Sequence, residues 1–200
     1  MSNSHRYSVR EVLQRLQRGA SLLLCILTTL AAPVVLAETR LAVREASLSL
    51  DEGVYELDAR LDLNLPVDAR KAIDSGLTLR LDYEVRISRV RHYLPDDGVA
   101  ELVQSYELVY HALSQRYLLR HLNSGVQQDF GSLDGALERL QLVRGLPVID
   151  AALLENGSIY EISIRGVLDM GTAPAVFGWL RFWADDWNAA SDWYSWTLPR

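Results

Sequence analysis

Between Tyr55 and Leu65 the chain alternates without an error. Tyr55, Leu57, Ala59, Leu61, Leu63 and Leu65 fall on one side, and Glu56, Asp58, Arg60, Asp62 and Asn64 on the other. Only an extended backbone puts residues two apart on a common face, so this stretch predicts a strand with one dry and one wet surface. The pattern returns in LTLRLDYEVRIS, where Leu77, Leu79, Leu81, Tyr83, Val85 and Ile87 oppose Thr78, Arg80, Asp82, Glu84, Arg86 and Ser88. It returns again in SIYEISIRGVL, with Tyr160, Ile162 and Ile164 opposite Glu161, Ser163 and Arg165. Dry faces of this kind must be covered, and sheets packed face to face cover them.

The intervening segments predict short connections. LAVREASLSL reads as a partner strand joined to the first through Asp51-Glu52-Gly53, a hairpin turn in which Gly is free to take positive φ. PVDARKAIDSG reads as a helix with Pro66 in its first turn and Gly76 at its stop. Pro95-Asp96-Asp97-Gly98 is a turn by composition, and Leu102 to Leu122 reads as two strands broken near Ala112 to Gln115. Ser132 caps a helix whose stripe is Leu133, Ala136, Leu137 and Leu140. After Gly145-Leu146-Pro147 the expectation is a connection through VIDAALL and a turn at Asn156-Gly157. The result is a mainly β (α+β) chain, an antiparallel β-sandwich-like domain of about seven or eight strands with two or three short helices.

Residues 1–37 read differently. Arg6, Arg10, Arg15 and Arg18 precede the apolar run SLLLCILTTLAAPVVLA, as in a secretory signal peptide cleaved after Ala37. The alternative is an uncleaved anchor in the inner membrane facing the periplasm, although the run is short for a span and Pro33 interrupts it. Cys25 follows the bulky Leu24, which argues against a lipid anchor. Residues 38–200 then form a single β-rich domain. The leader takes four Arg and one Glu from the chain's 20 basic and 26 acidic residues, leaving 16 and 25, a formal charge of −9. Such a balance makes nucleic acid and anionic lipid poor partners. The chain's one cysteine leaves with the leader, so the mature domain has no disulfide, thiolate nucleophile or Cys metal ligand.

The sequence contains no nucleophile elbow, zincin, phosphate-loop or dinucleotide motif, and no cofactor is expected. His111 and His121 might be imagined facing each other across a hairpin to hold a metal with a carboxylate, but their spacing is not diagnostic. RISRVRHY gathers Arg86, Arg89, Arg91 and His92 in an otherwise acidic chain. It reads either as a receiver for an anionic group or as a strand end whose guanidinium groups pair with neighbouring carboxylates.

All five Trp residues lie between Trp179 and Trp196. In DWYSWTL, alternation sets Trp196 with Tyr194 and Leu198 on one face and Trp193 on the other, which makes Trp196 a core candidate. Trp179, Trp183 and Trp187 are spaced four apart and fit a helix stripe, while Phe177, Trp179, Arg181 and Trp183 also alternate as a strand. Together Trp179, Trp183, Trp187 and Trp193 are either aromatic filling for the end of a sandwich or a rim for a partner, a glycan or an apolar ligand.

YHALSQRYLL, DFGSLDGAL, IYEISIRGVLD and SDWYSWTL together resemble the proteobacterial exported family called domain of unknown function 4390, whose members carry the label "proline-rich signal peptide protein". The resemblance spans the chain from about Thr39. One departure is Gly171-Thr172-Ala173-Pro174-Ala175, where the family leads one to expect a Leu-Pro-x-Pro-Leu-like stretch. The resemblance implies an envelope location and a gene neighbourhood that includes a nitrogen-type sensor kinase. It implies no activity and no catalytic residues.

Three functions compete on these grounds. The first is a periplasmic, non-enzymatic domain that binds an envelope protein or an apolar ligand, acting with a membrane sensor kinase. The second is a hydrolase or metal-dependent enzyme built on His111 and His121, and the third is a structural envelope factor. Oligomeric state is open.

Overall fold

The computed structural model describes residues 39–91, 95–171 and 187–198. Two antiparallel sheets share one core. The smaller has the order β1-β2-β7, from β1 (Arg40–Asp51), β2 (Val54–Asn64) and β7 (Leu142–Asp150). The larger runs β10-β8-β3-β4-β5-β6, from β3 (Leu79–Arg89), β4 (Asp97–His111), β5 (Arg116–His121), β6 (Gln127–Phe130), β8 (Tyr160–Met170) and β10 (Tyr194–Thr197). The two-residue β9 (Ala189–Ala190) also pairs with β8. The antiparallel sandwich expected from the alternation is what the chain forms, with ten strands among the described residues.

Each alternating segment became a strand with its apolar residues inward. In β2, Leu57, Ala59, Leu61 and Leu63 are buried, and in β3 Leu79, Leu81, Tyr83, Val85 and Ile87 are almost fully buried. The β1–β2 turn uses Glu52 and Gly53, both at positive φ, the mirror-image geometry that matches strand twist. Helix α1 (Val67–Asp74) starts after Pro66, and Gly76 at φ +97° leads the chain away from it. Helix α2 (Leu133–Leu140) is capped by Ser132, whose hydroxyl accepts the Gly135 N–H at 3.2 Å. Each helix turns its apolar stripe to the larger sheet, α1 toward β4 and α2 toward β5 and β6. The break expected at Ala112 to Gln115 is the turn between β4 and β5.

One expectation is corrected. Gly145-Leu146-Pro147 and the residues after it are not a connection but most of strand β7. Pro normally interrupts a ladder, yet β7 is an edge strand bonded to β2 alone, and an edge tolerates the missing N–H. Gly145 takes φ +55° where the β2–β7 register slips, and its N–H donates to Asp58 Oδ1 at 2.9 Å.

The inner face of β8 carries Gly166 where the two sheets come closest. A side-chain carbon there would stand 2.7 Å from Leu61 Cδ2 and 3.1 Å from Leu41 Cδ2. Its N–H donates to the Ser191 hydroxyl at 3.0 Å and its carbonyl accepts the Ser191 N–H at 2.9 Å, so the C-terminal segment is tied to the backbone at this contact.

Candidate functional site

The outer face of the larger sheet is a mosaic of charges in register. On β3, Arg80, Asp82, Glu84 and Arg86 point outward, opposite Glu101, Val103, Ser105 and Glu107 of β4 and Arg165 of β8. Arg86 Nε donates to Glu101 Oε1 at 2.8 Å, and Arg165 Nε donates to Glu84 Oε2 at 2.7 Å.

Trp193 joins this face just before β10. Because Tyr194 sits opposite Ile164, the preceding residue stands beside Arg165. The Trp193 ring is flanked by two guanidinium groups, with Arg86 Cζ 4.4 Å and Arg165 Cζ 4.5 Å from its centroid. An indole face attracts cations by its quadrupole, worth about 0.5–1 kcal/mol per contact at an exposed position. Arg86 and Arg165 are each held by a carboxylate and a ring together, so the half-buried indole has a defined orientation at the surface.

The rest of the arginine run separates from this cluster. Arg89 Nη2 donates to Asp97 Oδ2 at 2.8 Å, and its other terminal nitrogen pairs with Glu155. Arg91 also pairs with Asp97, and its backbone N–H donates to Asp96 Oδ1 at 3.1 Å. Arg89 and Arg91 thus close the end of the sheet as a neutralised network, while Arg86 alone of the run reaches Trp193. His92 lies outside the described residues, as do Trp179 and Trp183. Trp187 is buried in the core at 5% exposure, so it contributes no binding surface. Trp196 is half-buried and packs against the core, as its place in the alternation indicated.

The Arg89–Asp97–Arg91 network carries a pH signature. The hydrogen bond from Arg89, and then the charge of Arg91, hold the Asp97 carboxyl below its usual range. A carboxylate with a depressed folded-state pKa stabilises the fold above the unfolded value, near 4, and that stabilisation is lost as pH falls through the folded value. Asp97→Asn is therefore expected to flatten the acid limb of the stability curve, measured as urea midpoints between pH 5 and pH 2. Parallel curves for the two proteins would reject the assignment.

The two histidines are not brought together. Tyr106 pairs with His121 and His111 with Arg116, which separates the histidines by five ladder positions, about 17 Å along β4. An odd separation also sets them on opposite faces. His111 bonds Ser114 Oγ at 2.8 Å in the hairpin turn. The metal or hydrolytic pair built on His111 and His121 does not form, and among the described residues no group of three His, Cys, Asp or Glu is placed to hold a metal ion.

His121 occupies instead the inward face of β5. Its ring stacks on Tyr106 with centroids 4.5 Å apart, Nε2 lies 2.6 Å from Gln104 Oε1 and Nδ1 lies 2.7 Å from Ser124 Oγ. Burial, and then the charge of Arg139, hold its pKa below the usual imidazole value. Neither Arg165 nor Arg139 stands out in the sequence. Alternation marks Arg165 only as one outward residue among many, and Arg139 reads as the basic last turn of a helix.

The fold and this surface define a β-sandwich with a polar, aromatic-centred sheet face and no catalytic constellation among the described residues. The chain belongs to the family described as Domain of unknown function (DUF4390), which it matches over residues 38–197. Comparison with curated proteins and with solved structures gives no match.

Proposed function

We propose that this chain is an exported binding domain of the cell envelope that engages a protein partner through the outer face of its larger sheet, and that it acts with a membrane sensor kinase. The observation that carries the reading is Trp193 held between Arg86 and Arg165 at the surface. Trp and Arg are the residue types that dominate interface energetics, and side chains already oriented lose less entropy on docking. The basic, apolar leader supports export, and no described helix is long and apolar enough to cross a membrane.

The test is site-specific photo-crosslinking in intact cells. A photoreactive residue in place of Trp193 is expected to give one discrete heterologous adduct, identified by mass spectrometry as an envelope protein. The adduct should disappear when Arg86→Glu and Arg165→Glu are introduced, and a probe at Lys71 should not give it. If position 193 yields only what position 71 yields, the outer face is a solvated surface and the reading fails.

A further inference from the structure

The inward face of the larger sheet holds a second, separate feature. Where α2 stops covering β5 and β6, a partly enclosed cavity of about 150 Å³ opens, lined by Tyr106, Leu119, His121, Ser124, Gln128 and Arg139, with Val126 at its margin. Drug-sized ligands occupy about 300–1,000 Å³, so this volume suits only a small molecule or a single side-chain-sized group.

Arg139 is the group in this cavity without a counterion. Ten of the thirteen described arginines stand within 4.0 Å of a carboxylate. Of the three that do not, Arg40 and Arg144 are exposed to solvent and Arg139 is half-buried. One terminal nitrogen of Arg139 donates to the Leu142 carbonyl at 2.9 Å, leaving the remaining guanidinium donors without a partner among the described residues. The Tyr106 hydroxyl has no hydrogen-bond partner there either; its ring is fixed edge-on against Tyr83 at 5.6 Å and flat against His121. Both nitrogens of His121 are engaged, by Gln104 and Ser124, so the imidazole is a wall rather than a competing charge.

A cation removed from water and lacking an anion is costly, and a planar fork of N–H groups matches a carboxylate in both charge and shape. We propose that this cavity binds one carboxylate group, held by the fork of Arg139 and the Tyr106 hydroxyl, with Leu119 and Val126 against the short apolar body attached to it. The ligand is a small organic acid or the carboxylate of an acidic peptide. The site is on the opposite face of the sheet from Trp193 and does not depend on the partner reading.

The experiment follows the His121 ring resonances of the full-length chain by NMR during titration with acetate, butyrate, an Asp-containing tripeptide and inorganic phosphate. Saturable shifts with a carboxylate are expected, weakened at least tenfold by Arg139→Gln and severalfold by Tyr106→Phe. Tyr106→Phe keeps the stacked ring and so guards against a result caused by unfolding. Preference for acetate or butyrate identifies a free acid, and preference for the tripeptide identifies a peptide carboxylate; both support the proposal. Shifts that do not saturate, shifts unchanged in Arg139→Gln, or tighter binding of phosphate than of any carboxylate would overturn it.

Discussion

Gly166→Val is expected to lower the unfolding free energy by roughly 3 kcal/mol, read as a shift of the urea midpoint with an unchanged slope. Local preference argues the other way, since Val is among the best strand formers and Gly among the worst, a difference of about 1 kcal/mol. The packing contact outweighs it. Even the first carbon of a side chain would stand 2.7 Å from Leu61 Cδ2, and Leu61 is only 2% exposed, so it has no free volume to move into. The added methyl groups of Val would have to push the two sheets apart at the point where Ser191 also clamps the backbone. Gly166→Ala should show a smaller loss of the same sign. A Val variant as stable as the parent would mean that the sheets do not approach this closely.

Trp187→Ala is expected to cost about 3–5 kcal/mol, the range for deleting a large aromatic from a core. Trp193→Ala should cost less than about 1 kcal/mol, because two partly exposed cation–π contacts are all that it removes. The contrast is measurable in one set of urea titrations, and fluorescence supplies an independent reading. Loss of Trp187 should remove a blue-shifted, poorly quenched component of the emission, whereas loss of Trp193 should remove a component open to acrylamide. The C-terminal segment is held by more than Trp187: the Met170 N–H donates to Asn188 Oδ1 at 2.8 Å, and β10 pairs with β8 from Tyr194 to Thr197. Equal stability losses for the two variants would overturn the division of the tryptophans into one core residue and one surface residue.

That division shows how far a local pattern reaches. The sequence placed Trp193 and Trp196 on opposite faces of a short strand, because successive side chains of an extended backbone alternate. It did not place Trp193 between Arg86 and Arg165, which lie 107 and 28 positions earlier in the chain. That neighbourhood depends on Tyr194 lying opposite Ile164 and Arg165 opposite Glu84. A slip of one residue in either pairing would send a whole set of side chains to the other face. The same limit explains the histidines: their order in the hairpin was legible, but the register that separates them was not.

From the sequence alone came the alternating strands β2, β3 and β8, the break between β4 and β5, the Ser132 cap and the Gly53 and Gly76 turns. Each of these follows from the steric preferences or hydrogen bonds of residues a few positions apart. Only the tertiary structure decided that Pro147 belongs to a strand, that Gly166 is the point of closest approach, that Trp187 is core, and that Arg139 stands half-buried without a carboxylate. These depend on which strand forms an edge, which faces meet and which charges end up near one another. Such facts arise from the packing of distant segments, and no window of neighbouring residues contains them.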